Sequence, residues 1–257
     1  MIKLKQILAF ATLIMLFAIG CKKDDTVEEV PVLAISGNLE INIANYVDNQ
    51  LLKMDGTSYL NPNGDTFTVN RLKYYFTNIT LKKSDGTSYK VPDSYFLIDE
   101  SKPSSKILSL SGIPEGTYTG ISFILGVDSA RNTSGAQTGA LDPGNDMFWT
   151  WSSGYIFFKL EGDSPQAISN NGNIAYHVGG YKLPYNNIRT LNLNFSNVIV
   201  KKDMTTKLFL NANINEAFKN PLLIDFKDSP FLTSAKDGGQ IADNYVDMFS
   251  FDKVINP

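Results

Sequence analysis

The chain has a single cysteine, a single histidine and two tryptophans among 257 residues. Because Cys21 near the N-terminus is the only thiol, the rest of the chain can form no internal disulfide, offer no thiol nucleophile and build no thiolate metal site. A Ser, His, acid triad would have to use His177, and no Gly-x-Ser-x-Gly elbow is there to present the serine. Carboxylates are plentiful, but nothing in their spacing sets two of them around a sugar. We therefore expect no enzyme. A strong excess of one charge is missing too: 23 basic against 26 acidic residues give a net charge of −3, which leaves no basic footprint for nucleic acid.

Long apolar runs are absent apart from the start of the chain. Residues 7–19 are apolar, follow Lys3 and Lys5, and are too short and wrongly flanked for a transmembrane span, so residues 1–20 read as an export signal. The run ends Ala18-Ile19-Gly20-Cys21 and resembles a bacterial lipoprotein signal, with Cys21 acylated and the acyl chains holding the protein to a membrane. Lys22-Lys23-Asp24-Asp25 resembles sequences that route lipoproteins outward; its plainer reading is a solvated tether. The expected location is the outer membrane, facing periplasm or cell surface. Residues 21–35 form the tether and residues 36–257 one domain, long enough to bury a core of its own.

From Ser36 onward apolar residues recur with period two: Leu39, Ile41, Ile43; Leu72, Tyr74, Phe76; Ile121, Phe123, Leu125, Val127. After Phe76 the parity slips, which predicts a bulge near Thr77 and Asn78. Ser84-Asp85-Gly86-Thr87 is a hairpin signal and Ile113-Pro114-Glu115-Gly116 a tight connection. Further strands are expected at 95–98, 155–160, 174–178, 190–200 and 207–214, with helix only at 215–219 and 240–249. This pattern predicts an all-β fold, a single β-sandwich or Greek-key barrel-like domain with long loops and few short helices. The long loops are 129–146 and 162–173, polar and rich in Gly and Asn, and loops of that length are commonly functional or disordered. Asp142-Pro143-Gly144-Asn145-Asp146 holds oxygen ligands of the kind Ca²⁺ takes, but it lacks the EF-hand pattern and reads first as turn chemistry.

Both tryptophans lie in Met147-Phe148-Trp149-Thr150-Trp151-Ser152-Ser153-Gly154-Tyr155. In an extended chain Trp149 and Trp151 share a face, and the aromatic run is either core filling or a site. Ser152-Ser153-Gly154 implies a bend or a close backbone approach beside the indoles. His177 shares a strand face with Asn173 and Ala175, opposite Ile174, Tyr176 and Val178, so it points away from the more apolar side.

The stretch just quoted, preceded by Leu141-Asp142-Pro143 and followed by Phe158-Lys159-Leu160-Glu161-Gly162 and His177-Val178-Gly179-Gly180, resembles the MbnP-like copper-binding proteins related to the copper-repressible surface protein of methanotrophs. Residues 71–79 and Gly126-Val127-Asp128 carry the likeness upstream. The resemblance implies a secreted or surface β-sandwich that binds copper. In some members the site includes a tryptophan oxidised to kynurenine by a dihaem cytochrome c peroxidase-like partner. Carried over residue by residue, it implies metal candidates His177, Trp149 and Trp151, with Trp149 preferred over Trp151. Copper-binding members supply two histidines and this chain has one, so Met147, whose thioether suits Cu(I), is a candidate substitute. An alternative function is a surface interaction module using the indoles as an apolar or stacking platform. A third reading makes the indoles an electron conduit to a haem partner without metal.

Overall fold

The computed structural model describes residues 35–150 and 152–257. The export signal, Cys21, the tether up to residue 34 and Trp151 lie outside the described residues. The domain is a sandwich of two mixed sheets, neither closed into a barrel.

The smaller sheet is built on β1 (Ser36–Val47). Further along the chain come β2 (Thr66–Lys83), β3 (Tyr95–Asp99), β4 (Ile107–Pro114) and β5 (Gly116–Leu125). They are followed by β6 (Phe148–Thr150), β7 (Gly154–Asp163), β8 (Asn173–Gly179), β9 (Arg189–Val200), β10 (Thr205–Asn213) and β11 (Phe249–Ile255). β1 runs parallel to β10 and antiparallel to β4, and β10 also pairs with β11. The larger sheet is organised by β2, which pairs with β7 through Thr68–Tyr74, with β3 through Lys73–Thr77 and with β5 through Phe76–Lys83. β8 joins β7, and β9 joins β5. The connection at Glu115 carries the chain from one sheet to the other, since β4 pairs with β1 and β5 with β2.

Period two is what fills the core. Leu39, Ile41 and Ile43 of β1, Leu72, Tyr74 and Phe76 of β2, Phe158 and Leu160 of β7, and Ile174, Tyr176 and Val178 of β8 all point between the sheets. The predicted bulge is present: pairing shifts between Thr77 and Thr80, and Asn78 takes φ 55°.

The C-terminal helix differs from expectation. It covers Gly239–Asn244, a short 3-10 turn follows at Tyr245–Asp247, and Phe249 opens β11 instead of closing a helix. Phe249 is drawn into the core, where its ring meets those of Tyr74, Phe76 and Phe123. The two long loops are built parts of the fold. Gly162 and Asp163 continue β7, and residues 129–146 carry a helical turn (Ser129–Thr133) and two 3-10 turns.

Candidate functional site

A second apolar cluster lies on the outer face of the larger sheet. Tyr75, Val127, Leu141, Met147, Tyr155, Ile156, Phe157 and Tyr181 form it, with Trp149 and Phe148 packed against it. The 129–146 segment is its cover. Tyr75 Oη donates to the Ala140 carbonyl at 3.0 Å and Tyr155 Oη to the Leu141 carbonyl at 2.6 Å. Asn132 Nδ2 donates to Val127 O while its Oδ1 accepts from Tyr155 N, which fastens the helical turn to β7. The pairing of β7 with β8 shifts at Phe157, so Ile156 and Phe157 both turn toward this cluster. The Asp142 loop performs turn chemistry: Asp142 Oδ1 accepts from Gly144 N at 2.8 Å.

Beside the cluster the same outer face turns polar. Lys73, Lys159 and His177 are register partners across β2, β7 and β8, and Arg71, Glu161 and Ala175 form the next row. His177 Nε2 is 2.8 Å from Glu161 Oε1, and Glu161 Oε2 is 3.0 Å from Arg71. A carboxylate only accepts, so Nε2 carries the proton and Nδ1 keeps its lone pair. Lys159, nearly buried, donates to both the carbonyl and the carboxylate of Asp146 at 2.9 Å, and Arg71 reaches that carboxylate at 3.0 Å. Lys73 donates to the Asn145 carbonyl at 3.0 Å. Burial pushes the His177 pKa below its usual value, partly opposed by the Glu161 hydrogen bond, so the imidazole is held neutral. The Lys159 hydrogen bond keeps the Asp146 carboxyl below the ordinary range.

Trp149 packs against β8 at Gly179. A β-carbon on Gly179 would lie 2.6 Å from Trp149 Cζ3 and 2.5 Å from the Tyr155 carbonyl oxygen, so the indole lies directly on the glycine. Gly179 and His177 are two residues apart on β8 and share a face, about 7 Å from one another along the strand. The expected close approach at Gly154 is present as well: φ is 80° and a β-carbon would meet Asn132 Oδ1 and the Tyr181 ring. Met147 is fully buried in the apolar cluster, and its carbonyl accepts from Ile156 N at 2.9 Å.

The structure sets Trp149 on Gly179, two residues along β8 from His177, and encloses Met147 in the apolar cluster. Glu161, Lys159 and Arg71 escaped the sequence reading, and Asp146, read there only as a loop oxygen ligand, joins them. Their signal was a charged residue at every second position of otherwise apolar strands, Arg71 and Lys73 in one and Lys159 and Glu161 in the next.

Among the described residues no three His, Cys, Asp or Glu side chains gather in a metal-binding group. The site offers one imidazole, with its Nε2 against the Glu161 carboxylate and with Lys159 and Arg71 close by. It does not fit a two-histidine centre.

A comparison with curated protein sequences gives no match. Among solved structures, MbnP from Methylosinus trichosporium aligns at 14% identity over 70% of this chain and 76% of that one, with a TM-score of 0.45. The MbnP family model matches residues 36–234, a span that takes in β1 through β10 and every residue of the site just described, and the chain belongs to the MbnP family.

Proposed function

We propose that this chain is a lipid-anchored, extracytoplasmic copper-binding protein of the MbnP type, with His177 as its imidazole ligand and Trp149 as the indole offered to a dihaem cytochrome c peroxidase-like partner. The carrying observation is the Glu161–His177 pair, on the strand whose Gly179 carries Trp149: a ligating histidine usually donates its other ring N–H to a carboxylate, which fixes the tautomer and raises ligand basicity. Imidazole suits copper. Membership of the MbnP family supports a non-enzymatic role. With one imidazole and two cations close by, copper is held more weakly than in a two-histidine centre.

Anaerobic Cu(I) titration of the purified mature domain tests the metal reading. The wild type should bind measurably more tightly than His177→Ala, and equal affinities would overturn it. For the indole, intact protein from the native host should carry the mass gain of a tryptophan-to-kynurenine conversion, mapped to the Trp149 peptide. For the anchor, a Cys21→Ser variant should lose membrane association and fatty-acid labelling.

A second reading, a partner-binding face, is favoured by one observation. The hairpin that follows Gly180 exposes Leu183 (86%) and Tyr185 (44%), and the Tyr185 carbonyl lies against Gly180, next to the glycine that carries Trp149. Partner capture that survives His177→Ala and is lost with Leu183→Asp would support this reading over copper.

A further inference from the structure

The tyrosines around Trp149 differ in one chemical respect. Tyr75 and Tyr155 are buried in the outer cluster, their ring centroids 5.7 Å apart and nearly perpendicular, and Tyr95 packs against the same cluster. Tyr75 and Tyr155 donate their hydroxyls to the backbone carbonyls of Ala140 and Leu141. Tyr95 donates instead to Asp128 Oδ2 at 2.5 Å, the short length of a hydroxyl held by an ionised carboxylate. Burial disfavours charge on Asp128, but the Tyr95 and Asn78 hydrogen bonds outweigh it and keep the carboxyl below its usual range. Removing an electron from a phenol makes its proton strongly acidic. An oxidising equivalent can therefore come to rest only on a tyrosine whose proton has a base to go to, and a peptide carbonyl is not one.

Tyr95 also lies at the mouth of the cluster. It lines an open groove with Asp93, Arg131 and Gln137. Arg131 holds its guanidinium 5.0 Å from the Tyr95 ring centroid and pairs with Asp93 at 2.7 Å. Gln137 Nε2 donates to Tyr155 Oη at 3.3 Å, which links the groove to the buried ring.

We propose that Tyr95 and Asp128 form a proton-coupled redox site that receives oxidising equivalents from Trp149 by way of Tyr155 and Tyr75. The step balances as follows. A one-electron oxidant, such as a ferryl haem, takes an electron from Trp149 and leaves the indole radical cation. An electron from Tyr95 restores the indole, the phenolic proton passes to Asp128, and a neutral tyrosyl radical remains on Tyr95. The site thereby limits how long the indole stays oxidised. This inference rests on the reading that Trp149 is the oxidised indole, and it needs no copper.

The test uses the full mature chain in copper-free buffer, oxidised with flash-generated tris(bipyridyl)ruthenium(III). Freeze-quench electron paramagnetic resonance and peptide mass spectrometry give the readouts. The wild type should show a neutral tyrosyl radical, oxidation products at Tyr95, and slower conversion of Trp149 than the Tyr95 variant. Tyr95→Phe keeps the ring and should lose that radical while Trp149 is consumed several-fold faster. Asp128→Asn keeps a side-chain acceptor for the helix cap, removes the base, and should behave like Tyr95→Phe; Tyr185→Phe should match the wild type. An undiminished tyrosyl signal in Tyr95→Phe, or Trp149 loss equal to the wild type in a variant of unchanged melting temperature, would overturn the proposal. The radical assay runs without copper and the Cu(I) titration without oxidant, so failure of the relay and failure of the copper reading are separate results.

Discussion

Replacing Gly179 with alanine is a direct test of how the site is assembled. The backbone there is ordinary strand, so alanine is not excluded by conformation. The obstacle is space, because the new methyl would lie 2.5 Å from the Tyr155 carbonyl oxygen and 2.6 and 2.9 Å from Cζ3 and Cη2 of Trp149. The carbonyl belongs to β7 next to the Phe157 bulge and can retreat only if that pairing shifts. The indole is half-buried and can swing outward, losing its contact with the cluster. Overpacking of this kind costs about 1–3 kcal/mol, which for a domain of this size lowers the melting temperature by roughly 2–4 °C per kcal/mol. Urea unfolding followed by circular dichroism should place Gly179→Ala about 2 kcal/mol below wild type, and native tryptophan emission should shift to the red as the indole meets water. Adding Trp149→Phe removes the ring atoms that clash and leaves the carbonyl contact. The double-mutant cycle should then return a favourable coupling of about 1 kcal/mol. A Gly179→Ala protein with wild-type stability and unshifted emission would refute the placement of the indole on β8.

The ion network should respond asymmetrically. Asp146→Asn leaves the nearly buried Lys159 ammonium without a carboxylate closer than Glu161 at 3.9 Å, and should cost about 1–3 kcal/mol in urea melts, discounted for the exposure of Asp146; Lys159→Met leaves no buried charge and should stay within about 1 kcal/mol of wild type. Tyr155→Phe removes the 2.6 Å bond to Leu141 and should cost about 1 kcal/mol, with amide exchange quickened at residues 137–141 and unchanged in β8. His177 is held below its ordinary value of 6.5. Its stabilising contribution is thus whole above that value and is lost as pH falls through the lower folded value. His177→Asn, which does not titrate, should therefore lose less stability than wild type between about pH 7.5 and about pH 5 in paired urea melts.

Most of the strands could be read from the sequence because burial on one face of a sheet imposes period two directly on the chain. The bulge at Asn78 was visible for the same reason, as a slip of parity. What escaped was decided by partners far away in sequence. Residues 240–249 have apolar spacing compatible with a short helix, and only the ring cluster of Tyr74, Phe76 and Phe123 assigns Phe249 to a strand. The 129–146 segment looked like an open polar loop because its inward groups are few: Leu141, the backbone carbonyls taken by Tyr75 and Tyr155, and the amide of Asn132. At the site, His177 and Trp149 were found as residue types, whereas the seat of Trp149 on β8 depends on Gly179, whose meaning lies in the missing side chain. Glu161 acquires its role only across register, opposite Arg71, and Asp146 only where its loop reaches Lys159.

The parallel pairing of β1 with β10 sets the order in which the domain can be completed. Asn38 has Thr205 as its register partner, so the first strand of the domain waits for nearly the last before its sheet is whole. Such long-range closure slows folding, and until it happens β1 presents an uncovered row of backbone donors and acceptors open to any other extended chain. A chain cut short before Thr205 would therefore fail at its opposite end, with β1 able to pair with β4 but left bare along its other side.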